Sequence, residues 1–267
     1  MDRQRRITPQ RGHRPPAPRV DLDDVIYGIH AVHEALVAGD PLRRIHIGDE
    51  RKNDPALRNL LELARSGQVP VQVRFENRTF FANFPYKAHQ SVVAYGAPFD
   101  YITLEEAIAL PRKGPGLFVV LDHVTDPHNV GAIIRTTEAL GGTALVLPER
   151  RSAGINATVR KAAAGATAHL PVARVSNISQ AIRTLKKAGI WVAGAALGEG
   201  TVPLGEADFN RDLAIVIGAE GEGIAPLVGR ECDYRVAIPM YGKTQSLNAS
   251  VAAAILLYEA VRQRKDA

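Results

Sequence analysis

Leu213-Ala-Ile-Val-Ile-Gly218-Ala-Glu220-Gly221-Glu222-Gly223-Ile224 is an apolar run of strand length that breaks directly into a loop of glycines and acids. A strand that is apolar at every position is buried on both faces, which is the pattern of parallel sheets. Comparable runs occur at 117–121, 144–147, 171–175, 190–195 and 234–238, separated by stretches with helical patterning. The alternation predicts an α/β fold in which a parallel sheet is covered by helices. Open sheets of this kind bind ligands outside the carboxyl ends of their strands, so the glycine loop after Ile217 becomes a candidate site.

Two common phosphate-binding motifs fail on spacing. Gly218, Gly221 and Gly223 are spaced GxxGxG and not GxGxxG, which removes the main support for a dinucleotide-dependent dehydrogenase. Gly242-Lys243-Thr244 resembles the end of a P-loop, but that motif needs glycine where Ala237 stands. Asp122, His123, Asp126 and His128 could be imagined as metal ligands, yet turn and capping roles suit these residues after a strand, and no metal is expected. Gly28 and His30 read as a turn and helix entry.

Two further segments occupy strand ends. In Leu121 to Glu138, Asp126-Pro127 makes a turn, Asn129 is suited to cap a helix, and Arg135 follows six residues later. The sequence reading puts Asn129 and Arg135 close around that helix, with Arg135 in an apolar pattern from which it could snorkel to a carboxylate. In Ile238 to Val251, a final helix is expected from near Ser246 to about Arg264, with Leu247, Val251, Ala254, Ile255, Tyr258 and Val261 on its apolar face. If Ser246 is only a cap, Asn248 and Ser250 are poor helix formers without a purpose, so the three together suggest a polar pocket.

The chain has 267 residues, 46% hydrophobic and 23% charged, with no apolar stretch long enough to span a membrane. One cysteine, Cys232, excludes an internal disulfide framework and fits a reducing, cytoplasmic setting. The net charge of +5 resides in residues 1–20, which hold six arginines and one acid; the rest has 27 basic and 27 acidic residues. Four prolines and few apolar residues make this segment a disordered tail whose charge suits phosphates, although an inert tail or a transit peptide would share the composition. Residues 21–97 read as a small α/β domain, 98–116 as a linker rich in proline and glycine, and 117–267 as the large domain.

The three segments together resemble the three motifs of the SpoU/TrmH-type RNA ribose methyltransferases in the SPOUT superfamily. The first domain, with Tyr27-Gly-Ile-His-Ala-Val-His-Glu-Ala and His89-Gln-Ser-Val-Val-Ala, resembles that family's RNA substrate-binding domain. Departures from the pattern are Ser91, often glycine in the family, and Ala249, often valine. The resemblance implies a C-terminal trefoil knot, a homodimer with sites at its interface, and S-adenosyl-L-methionine as cofactor. It implies that Arg135, Asn129, Glu220, Ser246 and Asn248 surround the reacting groups, and that Gly218, Ile238, Leu247, Gly198 and Met240 hold the cofactor. Arg135 is then either an unusual base or a clamp on phosphate and developing oxyanion, since guanidinium is ordinarily protonated. The implied reaction is 2′-O-methylation, with guanosine of large-subunit ribosomal RNA as the nearest type. A transfer-RNA ribose methyltransferase and a non-catalytic RNA-binding protein of the same fold are the alternatives.

Overall fold

The computed structural model describes residues 25–37, 39, 41–66, 71–82, 84, 89–96, 99–244 and 246–265. The arginine-rich segment 1–20, expected to be disordered, lies outside the described residues. The first part of the chain runs β1 (Val25–Tyr27), α1 (Ile29–Val37), β2 (Leu42–Gly48), α2 (Arg58–Ser66), β3 (Gln72–Glu76), α3 (Arg78–Phe81) and β4 (Val92–Gly96). The strands form a mixed sheet, β1-β4-β2-β3, in which β2 and β3 are parallel. Ile45 and Ile47 of β2 pack with Val32, Leu57 and Leu60 from the helical side. His46 lies between those isoleucines, so it faces the other side of the sheet, where it stacks on Phe80 at 4.6 Å between ring centroids.

The chain continues through α4 (Leu104–Ala109), β5 (Leu117–Asp122), α5 (Pro127–Ala139), β6 (Ala144–Pro148), α6 (Ala157–Ala163), β7 (Val172–Val175) and α7 (Ile178–Lys187). It ends with β8 (Trp191–Ala195), β9 (Val202–Pro203), β10 (Leu213–Gly218), α8 (Pro226–Glu231), β11 (Tyr234–Ala237) and α9 (Ala249–Lys265). These strands form a seven-stranded sheet, β7-β6-β5-β10-β8-β11-β9, with every pairing parallel, as the apolar runs predict.

β5 and β10 are buried at every residue because both faces of the sheet are covered. Leu117, Val119, Leu121, Ile215 and Ile217 pack beneath α5, α6 and α9, while Phe118, Val120, Ala214 and Val216 pack beneath α4, α7 and α8. The strand order reverses between β5 and β10: α5 leaves β5 toward one face and α8 leaves β10 toward the other. Such a reversal opens a crevice beyond the carboxyl ends of the two strands. At the far end, Arg264 donates to the carbonyls of Pro115, Gly116, Phe209 and Arg211, pinning the last turn of α9 to the segments that precede β5 and β10.

Several local expectations change. Residues 102–109, inside the stretch read as a linker, belong to the flank of the large sheet: Ile102 bridges Ala173, and Leu104 and Ala107 are buried. The prolines and glycines that suggested a connection mark turns beside a short helix, which Thr103 and Glu106 close with a reciprocal capping box. The cap of α5 is Asp126, whose side chain accepts from His128 N, with Pro127 in the first turn; Asn129 lies inside the helix. The last helix begins at Ala249 and not near Ser246, because the Asn248 side chain accepts from the backbone N–H groups of Ser250 and Val251.

Candidate active site

The loop after β10 folds back on itself. Ala219 and Gly223 form an antiparallel bridge with N–H···O distances of 3.1 and 2.8 Å, and Gly221 turns the corner at φ +82°. A side chain at Gly218 would put its Cβ 2.0 Å from the Gly223 carbonyl carbon and 2.3 Å from Ile224 N. Glycine is therefore required by close backbone approach, and the loop presents main chain to the crevice. Asp122, fully buried at the end of β5, holds the loop from below by accepting from Ala225 N at 2.7 Å, while its other oxygen lies 2.5 Å from His123 Nδ1.

Above this loop the three sequence segments converge. Asn129, 6% exposed on the first turn of α5, donates from Nδ2 to Glu220 Oε2 at 3.3 Å. Asn248 donates to the same oxygen at 3.4 Å while its Oδ1 caps α9. Both ends of the Asn248 amide are thus in use, and one carboxylate oxygen of Glu220 is oriented by two amides. Ser250 Oγ also donates to Asn248 Oδ1, at 2.6 Å, which explains a serine in the first turn of the helix.

Beside this cluster lies a cavity of about 810 Å³. Its walls are the loops after β8, β10 and β11, with Leu197, Ile224, Ile238, Met240 and Leu247 as apolar surfaces and the backbone of 218–223 as a polar strip. Gly218, Ile238, Met240, Leu247, Glu220 and Ser246 all line it. Gly198 does not, although its neighbour Leu197 does. Asn129 and Asn248 border the site through Glu220. Arg135 stands apart: it is exposed and has no hydrogen-bond or ionic partner among the described residues. Six residues advance a helix by about 600°, so Arg135 sits about 120° around α5 from Asn129 and not close to it.

Asp122 is the residue whose part the sequence reading missed, since its partner N–H lies 103 residues away. The signal available was an acid ending a fully apolar strand. His123 is in contact with Asp122 and Asp126 caps α5, and no group of three His, Cys, Asp or Glu suited to a metal occurs among the described residues. Cys232 packs against β8 where a side chain at Gly194 would meet its Sγ at 3.0 Å, and burial pushes its thiol up to about 12.

The chain is similar to known proteins over most of its length. Residues 116–258 match the SpoU rRNA methylase family model, and residues 25–102 match the model for the substrate-binding region of RNA 2′-O-ribose methyltransferases. An uncharacterized tRNA/rRNA methyltransferase of Synechocystis sp. is 45% identical over 90% of this chain, which spans 63% of that relative's length. A Staphylococcus aureus protein named for the TrmH family of tRNA/rRNA methyltransferases is 41% identical over 91% of this chain and 98% of its own. The crystal structure of the SpoU methyltransferase AviRb from Streptomyces viridochromogenes, in complex with S-adenosylmethionine, superposes with a TM-score of 0.59 at 28% identity, covering 91% of each chain. With both of its sheets matched in this way, the chain belongs to the SpoU family of S-adenosylmethionine-dependent RNA ribose methyltransferases.

Proposed function

We propose that the chain transfers a methyl group from S-adenosylmethionine to the 2′-hydroxyl of a guanosine in large-subunit ribosomal RNA. The observation that carries this reading is the Asn129–Glu220–Asn248 cluster set at the edge of the 810 Å³ cavity. The cavity is of a size that holds a cofactor. Its donor set suits this one: apolar walls for a purine, the exposed backbone of 218–223 for hydrogen bonds, and the carboxylates of Glu220 and Glu222 for cationic groups. S-adenosylmethionine supplies an activated methyl on a sulfonium, so the protein's task is to align the ribose oxygen and help its proton leave.

In this reading Gly218, Ile238, Met240 and Leu247 hold the cofactor, with Gly198 outside the wall. Asn129 and Asn248 fix Glu220 through Oε2, which leaves Oε1 to accept the proton, and Ser246 contributes a hydroxyl at the rim. Arg135 serves as a clamp on phosphate or developing oxyanion, because a guanidinium stays protonated throughout the accessible pH range. Its exposure and its angle away from Asn129 suit a site completed by a second copy of the chain. A homodimer is also favoured by Val251 and Tyr258, which lie two turns apart on α9 and are 47% and 62% exposed. The trefoil knot and the cytoplasmic location belong to the same reading.

The test incubates purified protein with labelled S-adenosylmethionine and unmodified ribosomal and transfer RNA, then maps the label by nuclease digestion and mass spectrometry. 2′-O-methylguanosine in large-subunit RNA is the expected product. Label in transfer RNA, which the names of both relatives allow, would keep the chemistry and replace the substrate. Cofactor binding with no transfer to either RNA would overturn the assignment of substrate.

A further inference from the structure

Outside residues 1–20 the chain is electrically neutral, yet residues 148–176 hold five basic residues and one acid. Arg150, Arg151, Arg160, Lys161 and Arg174 lie on the loop after β6, on α6 and on β7. The cofactor cavity occupies the other flank of the Glu220 cluster, being walled by loops after β8, β10 and β11. The carboxyl ends of β5, β6 and β7 lie on the side of Glu220 away from that cavity.

The local geometry there is preorganised. Arg174 stacks over the Tyr101 ring at 4.9 Å and Arg160 over Phe99 at 5.5 Å. An aromatic face fixes the plane of a guanidinium, and Arg174 is held further by donating from Nη2 to the Glu149 carbonyl at 3.3 Å. Arg150 and Arg151 are exposed and have no partner among the described residues. Arg151 adopts φ +59°, a left-handed conformation that costs a non-glycine residue energy. The turn is fastened on both sides: Glu149 N donates to Val175 O, and Ser152 Oγ and Ala153 N donate to Val124 O, in the loop that leads to Asn129. Two unpaired guanidiniums are thus tied to the same backbone that positions the candidate site.

We propose that Arg150 and Arg151, with Arg160, Lys161 and Arg174 behind them, form a phosphate-binding track that seats the RNA strand beside the target ribose. This rests on RNA being the substrate. Each cation that neutralises a phosphate releases counterions, so the track contributes to the salt dependence of RNA affinity without reading sequence.

The test measures the affinity of the full chain for a short, unstructured, fluorescein-labelled RNA across a potassium chloride series. The variant Arg150→Ala/Arg151→Gly keeps the left-handed backbone at 151 accessible. Its log–log salt slope is expected to fall by about 1.4, at about 0.7 per lost contact to a single strand. Arg150→Lys/Arg151→Lys should restore the slope. Lys113→Ala/Lys187→Ala, which removes the same charge in the segments that lead into β5 and β8, should leave it unchanged. In methyl-transfer assays the first variant should raise KM for RNA and spare both kcat and cofactor affinity. An unchanged slope in a background where wild type binds and methylates RNA would overturn the track alone. Failure of wild type to bind RNA would overturn the substrate reading and the track with it.

Discussion

Replacing Gly218 by alanine tests whether the loop after β10 is held by backbone contact. The added Cβ would lie 2.0 Å from the Gly223 carbonyl carbon, and ordinary contact begins near 3.4 Å, so the return strand of the loop must recede by about 1.4 Å. That displacement opens both bonds of the Ala219–Gly223 bridge and draws Ala225 N away from buried Asp122. Two backbone hydrogen bonds contribute about 0.5 to 1.5 kcal/mol each and an unsatisfied buried carboxylate costs about 1 to 3 kcal/mol, for a total of about 2 to 6 kcal/mol. Urea unfolding should register the loss of stability, and calorimetric titration should show S-adenosylmethionine bound at least roughly tenfold more weakly, since the displaced strip is the cavity's polar wall. A variant within about 0.5 kcal/mol of wild type and with unchanged cofactor affinity would refute the close-approach argument, because surface changes alone stay in that range.

Arg135→Ala should abolish methyl transfer while S-adenosylmethionine binding remains measurable by titration, and retained turnover would remove Arg135 from the chemistry. In a two-fold dimer, mixing inactive Arg135→Ala with inactive Asn129→Ala should recover about one quarter of wild-type activity if the arginine serves its partner's site, and none if it serves its own. His46 is buried beside Glu76 Oε1 at 3.0 Å, and burial, only partly offset by that carboxylate, pulls its pKa below the ordinary 6.5. The fold therefore favours neutral His46 and the unfolded chain binds the proton more readily, so this contribution is present above pH 6.5 and is lost as pH falls below it. Denaturation of wild type and His46→Phe between about pH 7 and about pH 5 should give a steeper acid loss for wild type; parallel curves would show that His46 titrates alike in both states.

Much of the architecture is local in origin. β5 and β10 are read correctly because a strand covered on both faces must be apolar at every residue, whatever covers it. The linker expectation was less successful because proline and glycine mark turns equally at a domain boundary and beside α4, and only the bridge from Ile102 to Ala173 distinguishes them. The expected helix start near Ser246 failed for a similar reason: serine and asparagine both cap, and the choice of Asn248 depends on where its amide is also needed.

The sequence by itself determined the parallel sheet, the glycine loop at a strand end and the three polar segments, since each of these is written in neighbouring residues through period, composition and turn chemistry. Only the tertiary structure decided which polar groups meet. Asn129 and Glu220 are 91 residues apart, Asn248 and Glu220 are 28 apart, and Asp122 holds an N–H 103 residues away. It also separated Arg135 from Asn129, set Gly198 outside the cavity wall and fastened the turn that follows Arg150 and Arg151 to Val124 through Ser152 and Ala153. Such pairings depend on the order of strands in the sheet, which is fixed by packing on both of its faces and leaves no mark on the residues next to any one of them.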